Sequence, residues 1–358
     1  MPVDEKLITS EVLNNTLISE IYPQVNFVNK PKMGKVRTVY DLGDGHMIMI
    51  SSDNLSTHDV VHRRQVYAKG ENLDAISSKY FEKTGKIIQN HYIKTLAPNI
   101  WIVKKAKPIL IEMVFRKYLT GSGWKEYKKA NGPEKGTEFC GILLKPGLCK
   151  NQMLEEVIFT PTAKGKVKDF KIPEFQGLNP ENDDPKLTVD IIKKNHRAFN
   201  LRKSEDLDIL IESAYDLYDF IYSDLKSKGY LLADTKWEFG YFSDGSIGLI
   251  DECVTPDSSR FWKSSEYKFN PDKNEFTVYQ EDKQHFRDYI ESLGLHTPDK
   301  KKELANHWMD DEVLKQGVIK YCNIREVITG TLPKITTIPK KKIVLKALAY
   351  AGYLKREE

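Results

Sequence analysis

Three charged residues, Asp234, Lys236 and Glu238, alternate with Ala233, Thr235, Trp237 and Phe239. In a strand, residues two apart share a face, so two acids and a base line one side. The following Ser243-Asp244-Gly245-Ser246 contains Asp-Gly, the strongest short hairpin signal. With Asp244 and Gly245 as the two turn residues, Glu238 falls directly opposite Asp251. Carboxylates ~5 Å apart repel unless a positive charge lies between them or one is protonated. A hard divalent cation resolves the conflict, because Mg2+ binds one or two carboxylates together with phosphate oxygens and water. The same charges could also face solvent, or be neutralised by Lys236 in a surface network.

Other constellations are weaker taken singly. Pro256-Asp257-Ser258-Ser259-Arg260 crowds hydroxyls, a carboxylate and a guanidinium into one turn, a combination suited to anions. Glu112, Val114 and Arg116 share one face of a predicted strand. Gly34-Lys35 is neither a P-loop nor GxGxxG. Ser56-Thr57-His58-Asp59 holds the residue types of a hydrolytic triad, but adjacent residues rarely point at one another.

The elements that must position these groups follow from period and punctuation. Residues 34–41 and 46–51 read as a hairpin around Gly43-Asp44-Gly45, and 101–103 and 109–119 as strands. Residues 71–92 have helical spacing, weakened by Gly85. After Gly121-Ser122-Gly123, a short helix is expected over 124–130, closed by Asn131-Gly132. Residues 204–229 form the most regular helix, with Ser204 as N-cap and Gly229 as its stop. The stretch 164–195, rich in charge and holding three prolines, reads as a long, mobile, exposed connection. The basic tail from residue 332 reads as a solvated extension dispensable for chemistry.

Composition sets the class. With 358 residues, 40% of them hydrophobic and 30% charged, the chain has the balance of a folded globular protein with at least two lobes. A net charge of +4 is too small at this length to argue for nucleic acid. No stretch has the ~20 apolar residues of a membrane helix, and the N-terminus lacks a signal-peptide core, so a cytoplasmic protein is expected. Cys140, Cys149, Cys253 and Cys322 form no CxxC pair, which points to free thiols.

Read in order, six segments resemble the phosphoribosylaminoimidazole-succinocarboxamide synthase (SAICAR synthetase) family. They are Gly34-Lys35-Val36-Arg37-Thr38-Val39-Tyr40; Ser51-Ser52-Asp53-Asn54 running to His58-Asp59; Glu112-Met113-Val114-Phe115-Arg116 leading to Thr120-Gly121-Ser122; Phe159-Thr160-Pro161-Thr162-Ala163-Lys164; Asp234 to Gly240; and Asp251-Glu252 running to Trp262. Each is weak alone, and their joint order is specific.

The resemblance implies an α+β, two-lobed fold: a kinase-like N-terminal lobe over 1–107, an ATP-grasp-like lobe over 108–290, and C-terminal helices over 291–358. It implies ATP and Mg2+ as cofactors, and carboxyaminoimidazole ribonucleotide (CAIR) and L-aspartate as the other small-molecule substrates. No nucleic acid or membrane partner is implied; a homo-oligomer is compatible with it. Carried over by position, Lys35, Arg37, Lys164, Lys236 and Glu238 surround ATP, and Glu238 and Asp251 hold the metal. Asp59, Arg116, Ser122, Asp234 and Arg260 meet the phosphorylated substrate, and Lys236, Asp234 and Asp257 lie where the chemistry occurs. A small-molecule or inositol-phosphate kinase of related architecture, or a nucleotide-binding regulator, would share much of this pattern; dependence of ADP release on aspartate separates them.

Overall fold

The computed structural model describes residues 3–355. Its α+β architecture has two principal sheets. The first is antiparallel, in the order Lys32–Met33, Arg37–Asp41, His46–Ser51, Ile100–Lys104, Tyr92–Ala97. The predicted hairpin is present, with Asp41 opposite Met47 and Arg37 opposite Ser51. Both faces of this sheet are buried, and alternation sorts its side chains. Ile48, Ile50, Ile100 and Ile102 pack with Val344 and Leu348 of the C-terminal helix Lys340–Tyr350. Met49, Trp101 and Val103 pack on the other side with Ile76, Tyr80 and Phe81 of the helix Lys69–Thr84.

The second sheet has seven strands centred on Tyr230–Tyr241. This strand pairs antiparallel with Ile111–Tyr118, Ser259–Lys263 and Ile247–Ile250. Met113, Phe115, Trp237 and Phe239 enter the main core beside the long helix Asp206–Ser227, whose stripe Leu207, Leu210, Ala214, Leu217, Ile221 and Leu225 is buried. The opposite face therefore carries Glu112, Arg116, Asp234, Lys236 and Glu238. A third cluster joins Val3, Ile8 and Val12 near the start of the chain to Leu73, Phe286, Leu314 and Val318.

Several expectations need correction. The helix predicted over 71–92 runs Lys69–Thr84, and the chain turns through Gly85 into the edge strand Tyr92–Ala97. The helix expected at 124–130 begins earlier, as Gly121–Lys129. The long helix starts after Glu205 with no side-chain cap, so Ser204 is not its N-cap. Stretch 164–195 is not an exposed connection: Val167, Phe170, Ile172, Phe175, Leu187 and Ile192 are buried in the main core. Apolar residues spaced among prolines and charges fold it into 3-10 turns and the helix Val189–Lys194. The tail is not solvated either, since Lys340, Val344 and Leu348 are buried.

Candidate functional site

The charged face of the second sheet is built by register. Arg116 stands opposite Asp234, and its Nη1 donates to Asp234 Oδ2 at 2.8 Å. Its Nε donates to Thr160 Oγ1 at 2.9 Å and its Nη2 to Ser122 Oγ at 3.1 Å. Arg260, from the neighbouring strand, donates to the same Asp234 Oδ2. One carboxylate thus aligns two guanidinium groups beside the N-terminus of the helix Gly121–Lys129. Gly121 has φ 53°, and a Cβ there would lie 2.3 Å from Arg260 Nη2, so only glycine lets that arginine approach. Helix N–H groups, a serine hydroxyl and two forked cations have the chemistry that suits a phosphate.

Farther along the face, Lys236 Nζ lies 2.5 Å from Glu112 Oε1 and 3.8 Å from Glu238 Oε1, while Lys164 donates to Glu238 Oε2. The predicted register is displaced by one residue. Glu238 pairs with Ile250, not Asp251, because Ser243, Asp244 and Gly245 form a three-residue loop closed by the bond from Phe242 N–H to Ser246 C=O. Asp251 follows the strand with φ 64°, in the left-handed region. Its Oδ1 accepts from Arg37 Nη1 at 2.6 Å, and Arg37 Nη2 reaches Glu252 Oε2 at 3.1 Å. Asp251 remains close enough to Glu238 to act on it. Burial, and then the Asp251 charge, raise the Glu238 pKa, with Lys164 and Lys236 opposing. Loss of hydration would raise Asp251 as well, but Arg37, Lys164 and Lys236 outweigh it and hold Asp251 at about 2.

Glu238 and Asp251 offer hard oxygen donors, which suit Mg2+ bound jointly with phosphate oxygens. Among the described residues no group of three His, Cys, Asp or Glu side chains is arranged to hold a metal ion.

Lys35, from the loop before the first sheet's hairpin, lies 3.5 Å from Asp59, and both side chains are more than half exposed. Arg37, two residues on, is only 8% exposed and is committed to Asp251 and Glu252. Asp257 is enclosed as well: its Oδ2 meets Lys69 at 2.7 Å and Lys283 at 3.3 Å, and its Oδ1 accepts from Tyr321 at 2.7 Å.

Sequence reasoning missed Glu112 as the partner of Lys236, and it missed Lys69, Lys283 and Arg287. For Glu112 the signal was present, since it shares a face with Arg116. Asp282, Lys283 and Arg287 flank the start of the helix Gln284–Ser292. Their burial depends on contacts distant in sequence. A cavity of about 340 Å³ is lined by Arg116, Ser122, Asp234, Lys236, Arg260 and Lys283, among others. A neighbouring one of about 530 Å³ shares Ser122 and Arg260 with it and reaches Asp59.

A family model described as SAICAR synthetase matches residues 30–304. The phosphoribosylaminoimidazole-succinocarboxamide synthase of Syntrophotalea carbinolica is 35% identical over 327 residues, 87% of this chain and 97% of that protein. The SAICAR-synthase from Saccharomyces cerevisiae, solved complexed with SAICAR, superposes with a TM-score of 0.66 at 26% identity, covering 88% of this chain and 98% of that one. A SAICAR synthetase in complex with ADP shares the fold, with a TM-score of 0.58 at 23% identity over 85% of this chain and 100% of that one. With residues 30–304 matched by the family model and most of its length aligned to relatives about 35% identical, the chain belongs to the SAICAR synthetase family.

Proposed function

We propose that this chain is the ATP-dependent ligase that condenses CAIR with L-aspartate to give SAICAR, ADP and phosphate in purine biosynthesis. The observation that carries this reading is the single face on which a two-arginine anion site adjoins a lysine-flanked carboxylate pair. A carboxylate resists an amine until one of its oxygens becomes a leaving group. A CAIR carboxylate oxygen therefore attacks the γ-phosphorus of ATP and releases ADP. The aspartate amine then attacks the acyl carbon, loses a proton and expels phosphate.

Arg116, Ser122 and Arg260 hold the ribonucleotide phosphate, and Asp234 keeps the two guanidinium groups aligned. Lys236 and Lys164 place positive charge where the transferring phosphoryl develops negative charge. Lys35 stands at the exposed rim, within reach of incoming phosphates, and Asp59 closes the substrate side. Glu238 and Asp251 would hold Mg2+, which when bound supplies charge neutralisation to the ATP phosphates. Arg37 acts by fixing Asp251. Asp257 holds its two lysines and is not a free reactant.

Among the described residues no helix is long and apolar enough to cross a membrane, and small polar substrates suit a cytoplasmic enzyme. The test is ADP release from ATP and CAIR with and without L-aspartate. Release that needs all three supports the ligase; equal release without aspartate would indicate a kinase.

A further inference from the structure

We propose that Lys283 binds a carboxylate of the amino-acid substrate, L-aspartate, and that the buried pair Lys69 and Asp257 positions it to do so. The proposal rests on the ligase reading above and adds to it the place where the second anion docks.

The Asp257 carboxylate carries two ammonium groups, Lys69 at 2.7 Å and Lys283 at 3.3 Å, and a hydroxyl, Tyr321 at 2.7 Å. One negative charge cannot cancel two positive ones. Lys69 is 0% exposed and lies nearer, so the single charge of Asp257 is divided between the two lysines. Lys283 is therefore only part-compensated, and it lines the cavity of about 340 Å³ with a side chain 13% exposed. A part-compensated cation in a desolvated wall is unfavourable unless an anion joins it.

Three of the other cations of the cavity are committed. Arg116 and Arg260 share Asp234, and Lys236 is held by Glu112. Asp282, beside Lys283, accepts the backbone N–H groups of Phe261 and Gln284. Among the described residues no carboxylate lies within ion-pairing distance of Arg287, which also lines the cavity and adds to its surplus. CAIR brings a phosphate and a carboxylate, for which the arginine pair and the lysines Lys164 and Lys236 are already arranged. The dicarboxylate amine needs a cation of its own, and Lys283 is the ammonium left over. Its environment agrees: burial, then Lys69 and Arg287, draw its pKa down to about 8 against the pull of Asp257. A bound carboxylate would reverse that shift.

The test compares steady-state kinetics of wild type, Lys283→Gln, Lys283→Arg and Lys69→Met, with melting temperatures alongside. Lys283→Gln should raise the aspartate KM by about 10- to 100-fold, the usual size of a charged hydrogen bond, with kcat at saturating aspartate and both nucleotide KM values within about threefold. Lys283→Arg should restore most of the loss. Lys69→Met removes a residue that lines no part of this cavity. It should still raise the aspartate KM, because Asp257 then claims Lys283 alone. A folded Lys283→Gln with an unchanged aspartate KM, or one that raises all three KM values together, would overturn the proposal. If Lys283→Gln does not fold, wild type decides. L-aspartate, with CAIR and a non-hydrolysable ATP analogue, should protect Lys283 from acetylation read by mass spectrometry, and absence of protection would refute it. Aspartate-dependent turnover by wild type tests the ligase reading separately, so the two failures are distinguishable.

Discussion

Glu238 pairs with Ile250 across the sheet, and Asp251 stands one residue beyond that partner, turned back by its positive φ and held by Arg37. Strand register alone would send Asp251 to the opposite face from Glu238. A left-handed residue at the strand end undoes that alternation and leaves both acids acting on one cleft.

Glu238→Gln should therefore impair the nucleotide site. Burial and the Asp251 charge already disfavour the ionised Glu238, so without ligands the variant should melt no lower than wild type. Binding of Mg-ATP should weaken by about tenfold or more and turnover should fall by at least about 100-fold. Calorimetric titration with ATP at low and high Mg2+ checks this. Wild-type affinity at limiting Mg2+ would contradict the role.

Arg116 and Arg260 can be tested without changing charge. Replacing either by Lys removes the planar fork that Asp234 aligns, so CAIR binding should weaken by about 10- to 100-fold while ATP binding changes little. Parallel titrations with the two nucleotides measure this directly. Equal losses for both would argue against a dedicated phosphate site.

Removing the chain after Gly330 should destabilise the first lobe. Lys340 Nζ lies 3.1 Å from the fully buried Asp53, and Val344 and Leu348 complete the apolar layer on Ile48 and Ile102. Asp53 in turn accepts the N–H groups of Leu17 and Gly70. Truncation would expose that layer and leave a buried carboxylate without its cation, at a cost of at least several kcal/mol. The expected outcome is a markedly lower melting temperature or aggregation, read by calorimetry. A truncated protein that melts like wild type would restore the tail to a solvated extension.

Asp74 gives a pH signature. Burial pushes its carboxyl up to about 7, with Arg37 opposing, and its Oδ1 accepts from Ser51 Oγ at 2.6 Å. A carboxyl raised in the folded state contributes stability fully at pH below its unfolded pKa, and loses that contribution as pH rises through about 7. Asn cannot ionise. The melting temperature of Asp74→Asn relative to wild type should therefore increase between about pH 5 and about pH 8, and a constant difference would contradict the assignment.

Much of this site was legible because alternation in a strand is a local rule. Glu112 and Arg116 share a face, as do Asp234, Lys236 and Glu238, and the fold keeps both sets on the cleft. The Asp-Gly turn identified the hairpin but not its loop length, and one extra residue moved Asp251 out of register. Residues 164–195 were misread because prolines and charges dominate their composition, whereas Phe170, Phe175 and Leu187 decide their burial through partners far away in sequence. The same reason hid Lys69 and Lys283. A lysine reads as surface until the carboxylate that neutralises it is placed beside it.

The central claim is that the cleft activates a carboxylate by phosphorylation before the amine attacks. The most direct measurement labels the CAIR carboxylate with heavy oxygen and follows the label by mass spectrometry of the released phosphate. With ATP, Mg2+ and L-aspartate present, the account predicts one labelled oxygen in the phosphate and the other retained in the amide product. Phosphate released without label would contradict it.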